Sequence, residues 1–218
     1  MSAGPTARRQ PSLLPGGREL PSHVPVEDRS ATRQKLLETA EALFYEEGFH
    51  AVGLDRILHA VGISKQAFYK HFGGKEELAL EVIRWHDRWW RDQCRRLLTE
   101  RAGDDARRQL DAFAEILIEL LDGQAFRGCF FVNAAAQFPN PYDPIHRAAM
   151  EAKEHIEALI RDMALRAGAD DPAAFACEFS MIFEGAFATR SLRRCGDVVP
   201  VLRGMVASLA GRRLPVPV

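Results

Sequence analysis

The stretch Ile63-Ser64-Lys65-Gln66-Ala67-Phe68-Tyr69-Lys70-His71-Phe72 decides the fold. Phe68 and Phe72 stand four residues apart, so on a helix they share one buried face. Lys65, Gln66, Ala67, Tyr69 and Lys70 are left outside. Ser64 suits an N-cap, and Ile63 before it can staple against Phe68, the N′ and N4 positions of that motif. Upstream, Leu54, Ile57, Leu58 and Val61 outline a second short helix that Gly62 breaks. Before that, Leu36, Leu37, Ala40, Leu43 and Phe44 make the apolar stripe of a first helix, which Gly48 terminates. Two short helices joined by a Gly-containing turn, with small and basic residues opening the second, form a helix-turn-helix layout.

The outward face has the chemistry of a nucleic-acid reader. A helix N-terminus offers unpaired N–H groups to a phosphate, Lys and His supply charge, and Gln66 has the geometry to pair bidentately with adenine. Between Gly48 and Lys75, Arg56, Lys65, Lys70 and Lys75 face only Asp55, and His50, His59 and His71 add partial charge. The whole chain hides this local excess, because 29 Lys and Arg against 30 Asp and Glu give a net charge of −1. Charged residues ordinarily form a solvated face. Tyr69, exposed between basic positions in a register locked by Phe68 and Phe72, is what favours DNA contact.

From Arg33 to Leu78, the pattern F-x-x-x-G-F, the run V-G-I-S-K-Q-A-F-Y-K-H-F and the segment G-G-K-E-E-L resemble the tetracycline-repressor (TetR) family of bacterial one-component regulators. The resemblance covers about a fifth of the chain and implies a helix-turn-helix headpiece on a larger helical domain. It implies that Lys65, Gln66 and Ala67 face base edges while Tyr69, His71 and Lys75 hold phosphates, with Lys70 and Arg56 beside them. Val52 and Gly53 depart from the pattern, since the family usually has Ser or Thr capping the second helix and touching phosphate. Gly at that cap costs only a few tenths of a kcal/mol, about enough to leave the fold intact, and Arg56 is the nearby substitute. Gly74 likewise stands where Ser is common ahead of Lys75.

The rest of the chain reads as all-α. Of its 218 residues 47% are hydrophobic and 27% charged, enough for a proper core, and no apolar run approaches a membrane span. Residues 1–29 hold five of the twelve prolines and read as a flexible tail, 30–75 as the helix-turn-helix domain, 76–212 as an effector-binding and dimerisation domain, and 213–218 as a second tail. Arg8 and Arg9 lack the apolar segment of an export signal behind them. Cys94, Cys129, Cys177 and Cys195 form no C-x-x-C pair, so a reducing bacterial cytoplasm is the expected home and the nucleoid the expected place of work.

A long helix from Lys75 through Leu78, Val82, Trp85 and Trp89 to about Leu98 is expected to join the two units. Asp104 to Leu121 gives an amphipathic helix, Asp143-Pro144 and Asp171-Pro172 open two more, and Cys129 to Phe138 suggests a helix buried nearly all round. Aromatics lining a concavity suit a mainly apolar ligand, which nominates Trp85, Trp89, Phe113, Leu117, Phe131, Phe179 and Phe183. Ordinary core packing is the alternative for each of them. Asn133 joins the list as the buried amide of its helix, although a bond to a neighbouring carbonyl would satisfy it equally.

Phe175, Phe179, Phe183 and Phe187 form one ridge, with Met181, Gly185, Ala188 and Leu192 roughly opposite. The last helix adds Leu202, Met205, Val206 and Leu209, so these two helices are expected to form a four-helix bundle across a two-fold axis. Two headpieces related by that axis would read half-sites about 34 to 36 Å apart, or a multiple, on a palindromic operator in double-stranded DNA.

Enzymatic chemistry finds no support: G-x-S-x-G, H-E-x-x-H, Walker A and G-x-G-x-x-G are all missing, so no catalytic residue, metal site or cofactor is expected. His146 and His155 lie nine residues apart, on opposite sides of a helix. The expected function is therefore a dimeric, ligand-responsive regulator, a repressor released from its operator by a mainly apolar molecule. The alternative is an all-α interaction module or ligand carrier without DNA binding.

Overall fold

The computed structural model describes residues 28–190, 192 and 195–215. Among these the structure is helical throughout: α1 (Asp28–Glu47), α2 (Leu54–Val61), α3 (Lys65–Phe68), α4 (Lys75–Ala102), α5 (Ala106–Asp122), α6 (Phe130–Gln137), α7 (Pro144–Arg166), α8 (Pro172–Arg190) and α9 (Cys195–Arg213). The expected N-terminal tail lies outside the described residues up to 27, and Asp28 and Arg29 already belong to α1. At the other end the expected tail is partly fixed. Leu214 is buried, Arg213 bonds Glu178, and the Pro215 carbonyl accepts from Arg107.

The first three helices form because their apolar spacings converge on one centre. Leu36, Ala40, Phe44, Ile57, Phe68 and Phe72 are all buried there. Gly62 turns the chain between α2 and α3 with φ 79°, a left-handed conformation that β-carbon sterics disfavour, and its N–H reaches the Leu58 carbonyl at 2.8 Å. Ser64 caps α3 by accepting from the Ala67 N–H at 3.1 Å. Gly53 and Gly74 give no side-chain cap to α2 and α4. For α4 the shortfall is met from inside the helix, where the Glu77 carboxylate accepts from the Gly73 N–H at 2.6 Å.

α4 runs for 28 residues, about 42 Å at helical rise, and both units pack on it. Its first turns bury Leu78, Val82 and Ile83 beside α1, and later turns bury Trp90, Cys94 and Leu97 among α5 and α7. The apolar core is consequently continuous from one unit to the other. Phe49, in the α1–α2 loop, sits 5.4 Å from the Phe130 ring and 5.9 Å from the Phe138 ring at the two ends of α6.

Aspartate caps open the helices of the larger unit. Asp105 accepts from the Arg108 N–H, Asp143 from the Ile145 N–H ahead of Pro144, and Asp171 from the Ala174 N–H. α6 departs from the expected all-round burial. Phe130, Phe131 and Ala134 are buried, while Val132 is 42% exposed and Ala136 is open. α6 packs on α7 and leaves its other side to solvent, so its apolar content marks a half-covered helix.

Candidate nucleic-acid interface and small-molecule cavity

α3 is a single turn whose register is set from inside. Phe68 is fully buried, stacks on Phe72 at 5.8 Å, and so turns Tyr69 outward to 52% exposure. Lys65, Gln66 and Lys70 are exposed beside it, with Ala67 and His71 half-buried at its edges. This face carries two cationic side chains, a phenol and an amide with no carboxylate among them. Burying Phe68 contributes roughly 1.5 to 3 kcal/mol to holding it in place.

Lys75, at the start of α4, is half-buried. Its ammonium donates to the carbonyls of Phe49 and Val52, both at 2.8 Å, and so ties the α1–α2 loop to the start of α4. Burial pulls its pKa below the ordinary lysine value, with Glu76 opposing. Two of its three donors are thus engaged with carbonyls, a loop-holding role that the sequence did not suggest for this residue. Arg56 is exposed on α2 and pairs with Glu47 at 3.2 Å.

A cavity of about 70 Å³ lies inside the larger unit. Leu117 of α5, Phe131 of α6 and Phe179 and Phe183 of α8 line it, as expected. Trp85, Trp89 and Phe113 do not. α4 contributes Trp90 and His86 to its wall, and the fully buried Phe113 stands behind that wall, edge-on to Trp90 at 6.0 Å and stacked on Phe179 at 5.8 Å. Asn133 lines a wider outer depression of about 460 Å³, and its amide donates to the Arg127 carbonyl at 2.9 Å. The two spaces share Phe126, Gly128, Cys129, Glu184 and Phe187.

Three polar devices around the cavity escaped the sequence reading. Tyr45 reaches it from α1, its hydroxyl donating to the Gly128 carbonyl at 3.0 Å and accepting from the Arg127 N–H at 2.8 Å. Burial pushes that phenol up to about 12, the Arg127 N–H pulling the other way. His86 Nδ1 lies 2.5 Å from Glu41 Oε1, joining α4 to α1 with both side chains buried. Lys153 of α7 pairs with Glu184 of α8. A polar residue inside an apolar stripe, as Glu41 and His86 are, was the available signal.

A fourth link lies outside the cavity. The His50 ring Nε2 donates to the Gln137 carbonyl at 2.6 Å, and the His50 backbone N–H donates to Gln137 Oε1 at 3.2 Å. Gly48 admits that amide: at φ 94°, a β-carbon there would stand 3.2 Å from Gln137 Oε1. His146 Nδ1 donates to the Phe138 carbonyl at 2.7 Å, and His155 Nδ1 meets Asp87 at 3.1 Å. Among the described residues no cluster of His, Cys, Asp and Glu fits a metal ion.

The residues expected at a subunit contact divide between two sides of α8 and α9. Met181, Gly185, Ala188, Leu192 and Met205 are exposed, and Val206 is half-buried. Leu202 and Leu209 are buried within the protomer with Val198, because positions four and seven apart on α9 form the face packed on α8 and α5. Val201, at 62% exposure, occupies the outer side instead.

The family model for bacterial regulatory proteins of the tetR family matches residues 36–82. The crystal structure of SCO4454, a TetR-family transcriptional regulator from Streptomyces coelicolor, superposes with a TM-score of 0.76 at 30% identity over 84% of this chain and 96% of that one. The chain belongs to the TetR family. It is a DNA-binding transcriptional regulator by descent and not an enzyme. The HTH-type transcriptional activator FasR of Mycolicibacterium smegmatis is 34% identical over 128 residues, 57% of this chain and 56% of FasR. The HTH-type transcriptional repressor NemR of Escherichia coli is 25% identical over 129 residues, 59% of this chain and 65% of NemR. Both alignments thus span less than two thirds of the relative. Among the described residues no helix of this TetR-family chain is long and apolar enough to cross a membrane.

Proposed function

We propose that the chain acts as a homodimeric repressor whose headpiece, residues 30–75, docks α3 in the major groove of a palindromic operator and leaves it when a mainly apolar molecule enters the domain of residues 76–212. The observation that carries this is the α3 face, where buried Phe68 and Phe72 force Lys65, Gln66, Tyr69 and Lys70 outward together. Gln66 and Ala67 are assigned to base edges, Lys65 to both base and backbone, and Tyr69, Lys70, His71 and Arg56 to phosphates. Lys75 holds the α1–α2 loop.

Two features support the rest. The outer face of α8 and α9 exposes Met181 at 69%, Val201 at 62% and Met205 at 48%, an apolar area of the kind that marks an association surface. The cavity is lined by Tyr45 of α1, so a ligand held there presses on a wall to which the headpiece itself is fastened. A ligand preferring that altered arrangement shifts the population by its differential affinity, typically about 1 to 3 kcal/mol. The proposed place of action is the nucleoid in the bacterial cytoplasm.

The test is to retain sheared genomic DNA on the purified full chain and sequence what stays bound. The expected result is an inverted repeat with half-sites about 34 to 36 Å apart or a multiple. Tyr69→Ala should then weaken selected and random duplexes alike, while Gln66→Ala should relax preference at particular bases. Retention without sequence enrichment, or no retention, contradicts the reading and leaves the interaction module.

A further inference from the structure

The cavity contains one ion pair among mostly aromatic and aliphatic side chains, with Tyr45, His86, Cys129 and Ser180 as its other polar groups, and its charge balance restricts what fits there. Lys153 and Glu184 bond each other across α7 and α8, and among the described residues Glu184 is the hydrogen-bond partner of the Lys153 ammonium. Burial disfavours the Lys153 ammonium, but the Glu184 carboxylate bonded to it opposes that and keeps the group charged. Burial, with Glu184 adding, pushes the Cys129 thiol up, so it stays protonated. The Tyr45 phenol is neutral as well. Any charge on His86 is met by Glu41 at 2.5 Å.

Neither sign of charge is therefore left over. A ligand carboxylate would put two anions on one ammonium in a half-buried site, and a ligand cation would have to take Glu184 from Lys153. The unspent capacity is of another kind. An ammonium has three donors and the ion pair uses one, so Lys153 can also donate to an oxygen placed beside it in the cavity.

We infer that the effector is an uncharged, mainly aromatic or aliphatic molecule carrying one oxygen acceptor of the ketone, quinone or ester type, which takes a hydrogen bond from Lys153 while its apolar body lies among Trp90, Phe131 and Phe183. This rests on the cavity being the effector site. Size agrees with an elongated ligand. The inner space and the outer depression of about 460 Å³ share Glu184 and Phe187, so a ligand longer than either extends from one into the other.

The experiment titrates the full chain calorimetrically with four naphthalenes of nearly equal shape: 2-acetylnaphthalene, 2-isopropylnaphthalene, 2-naphthoate and 1-(2-naphthyl)ethylammonium. The ketone should bind roughly tenfold to a hundredfold tighter than the hydrocarbon, as a hydrogen bond from a charged donor implies. Naphthoate and the ammonium should both bind more weakly than the ketone. In Lys153→Met/Glu184→Met, which removes both charges together, the ketone should lose its advantage while the hydrocarbon still binds. Lys153→Arg keeps a donor and should keep the preference. Tighter binding of naphthoate or of the ammonium overturns the proposal, as does a ketone preference that survives the double substitution. If neither the hydrocarbon nor the ketone binds, the effector-site reading fails with it, an outcome distinct from binding without oxygen selectivity.

Discussion

The Tyr45 hydroxyl donates to the Gly128 carbonyl at 3.0 Å, so the last turns of α1 are fastened to the loop between α5 and α6. The same oxygen accepts from the Arg127 N–H, and the ring forms part of the cavity wall. A ligand in the cavity thus touches the headpiece directly as well as through α4. The His86–Glu41, Arg33–Glu81 and His50–Gln137 contacts are further polar links between the units.

Tyr45→Phe keeps the ring and removes the hydroxyl, leaving the Arg127 N–H and Gly128 carbonyl unpaired. Thermal unfolding should show a loss of roughly 1 to 3 kcal/mol. Operator affinity without ligand should change little, whereas the fold-loss of affinity caused by ligand should shrink. An unchanged ligand effect removes Tyr45 from the coupling.

Alkaline pH offers a second check on the same group. Its folded pKa is raised from 10.0 to about 12, so below pH 10 the phenol is neutral in both states. Between pH 10 and about 12 the unfolded chain ionises while the folded one does not, and stability falls with rising pH by roughly 2 to 3 kcal/mol at most. Tyr45→Phe should lack that share of the decline. Denaturant midpoints of the two proteins at pH 9 and pH 11.5 measure it, and parallel declines would count against a buried phenol.

Lys75 and Lys70 should separate structure from DNA contact. Lys75→Met strips two charge-assisted bonds from the Phe49 and Val52 carbonyls and should cost about 1.5 to 3 kcal/mol, lowering Tm. Lys70→Ala is an exposed change and should alter stability by less than about 0.5 kcal/mol, yet lower the salt dependence of DNA binding by about one counterion. Equal Tm values for the two variants would refute the positioning role of Lys75.

The subunit surface is tested by charge. Met181→Asp places a carboxylate on the exposed face of α8 and should shift sedimentation from dimer to monomer with the helical spectrum kept. Leu202→Ala opens a hole in the protomer core and should cost about 2 to 5 kcal/mol. A Met181→Asp chain that still sediments as wild type places the interface elsewhere.

The α3 face was legible because its logic is local. Phe68 and Phe72 four apart, Ser64 ahead and Gly62 before it settle register, cap and turn within ten residues. Helix starts at Asp105, Asp143 and Asp171 were legible for the same reason. The cavity was not. Trp85, Trp89 and Trp90 make α4 apolar over a wide arc, and a step of one residue turns a helix by about 100°, so spacing alone could not choose Trp90 and His86 over Trp85 and Trp89. Tyr45 and Lys153 come to the wall from helices 108 positions apart in number, which only tertiary packing reveals. On α9 the inward Leu202 and Leu209 and the outward Val201 and Met205 are all apolar, and hydrophobicity could not tell a core face from an association face.

The central claim is that α3 enters a major groove. The direct measurement is the affinity of the full chain for a selected duplex in which purines of one half-site carry 7-deaza substitutions, which delete a major-groove acceptor, against the same duplex with inosine for guanine, which deletes a minor-groove donor. The account predicts that 7-deaza substitution at the contacted bases weakens binding by about 1 kcal/mol or more, with inosine nearly neutral. Insensitivity to every 7-deaza position together with a loss at inosine would contradict it.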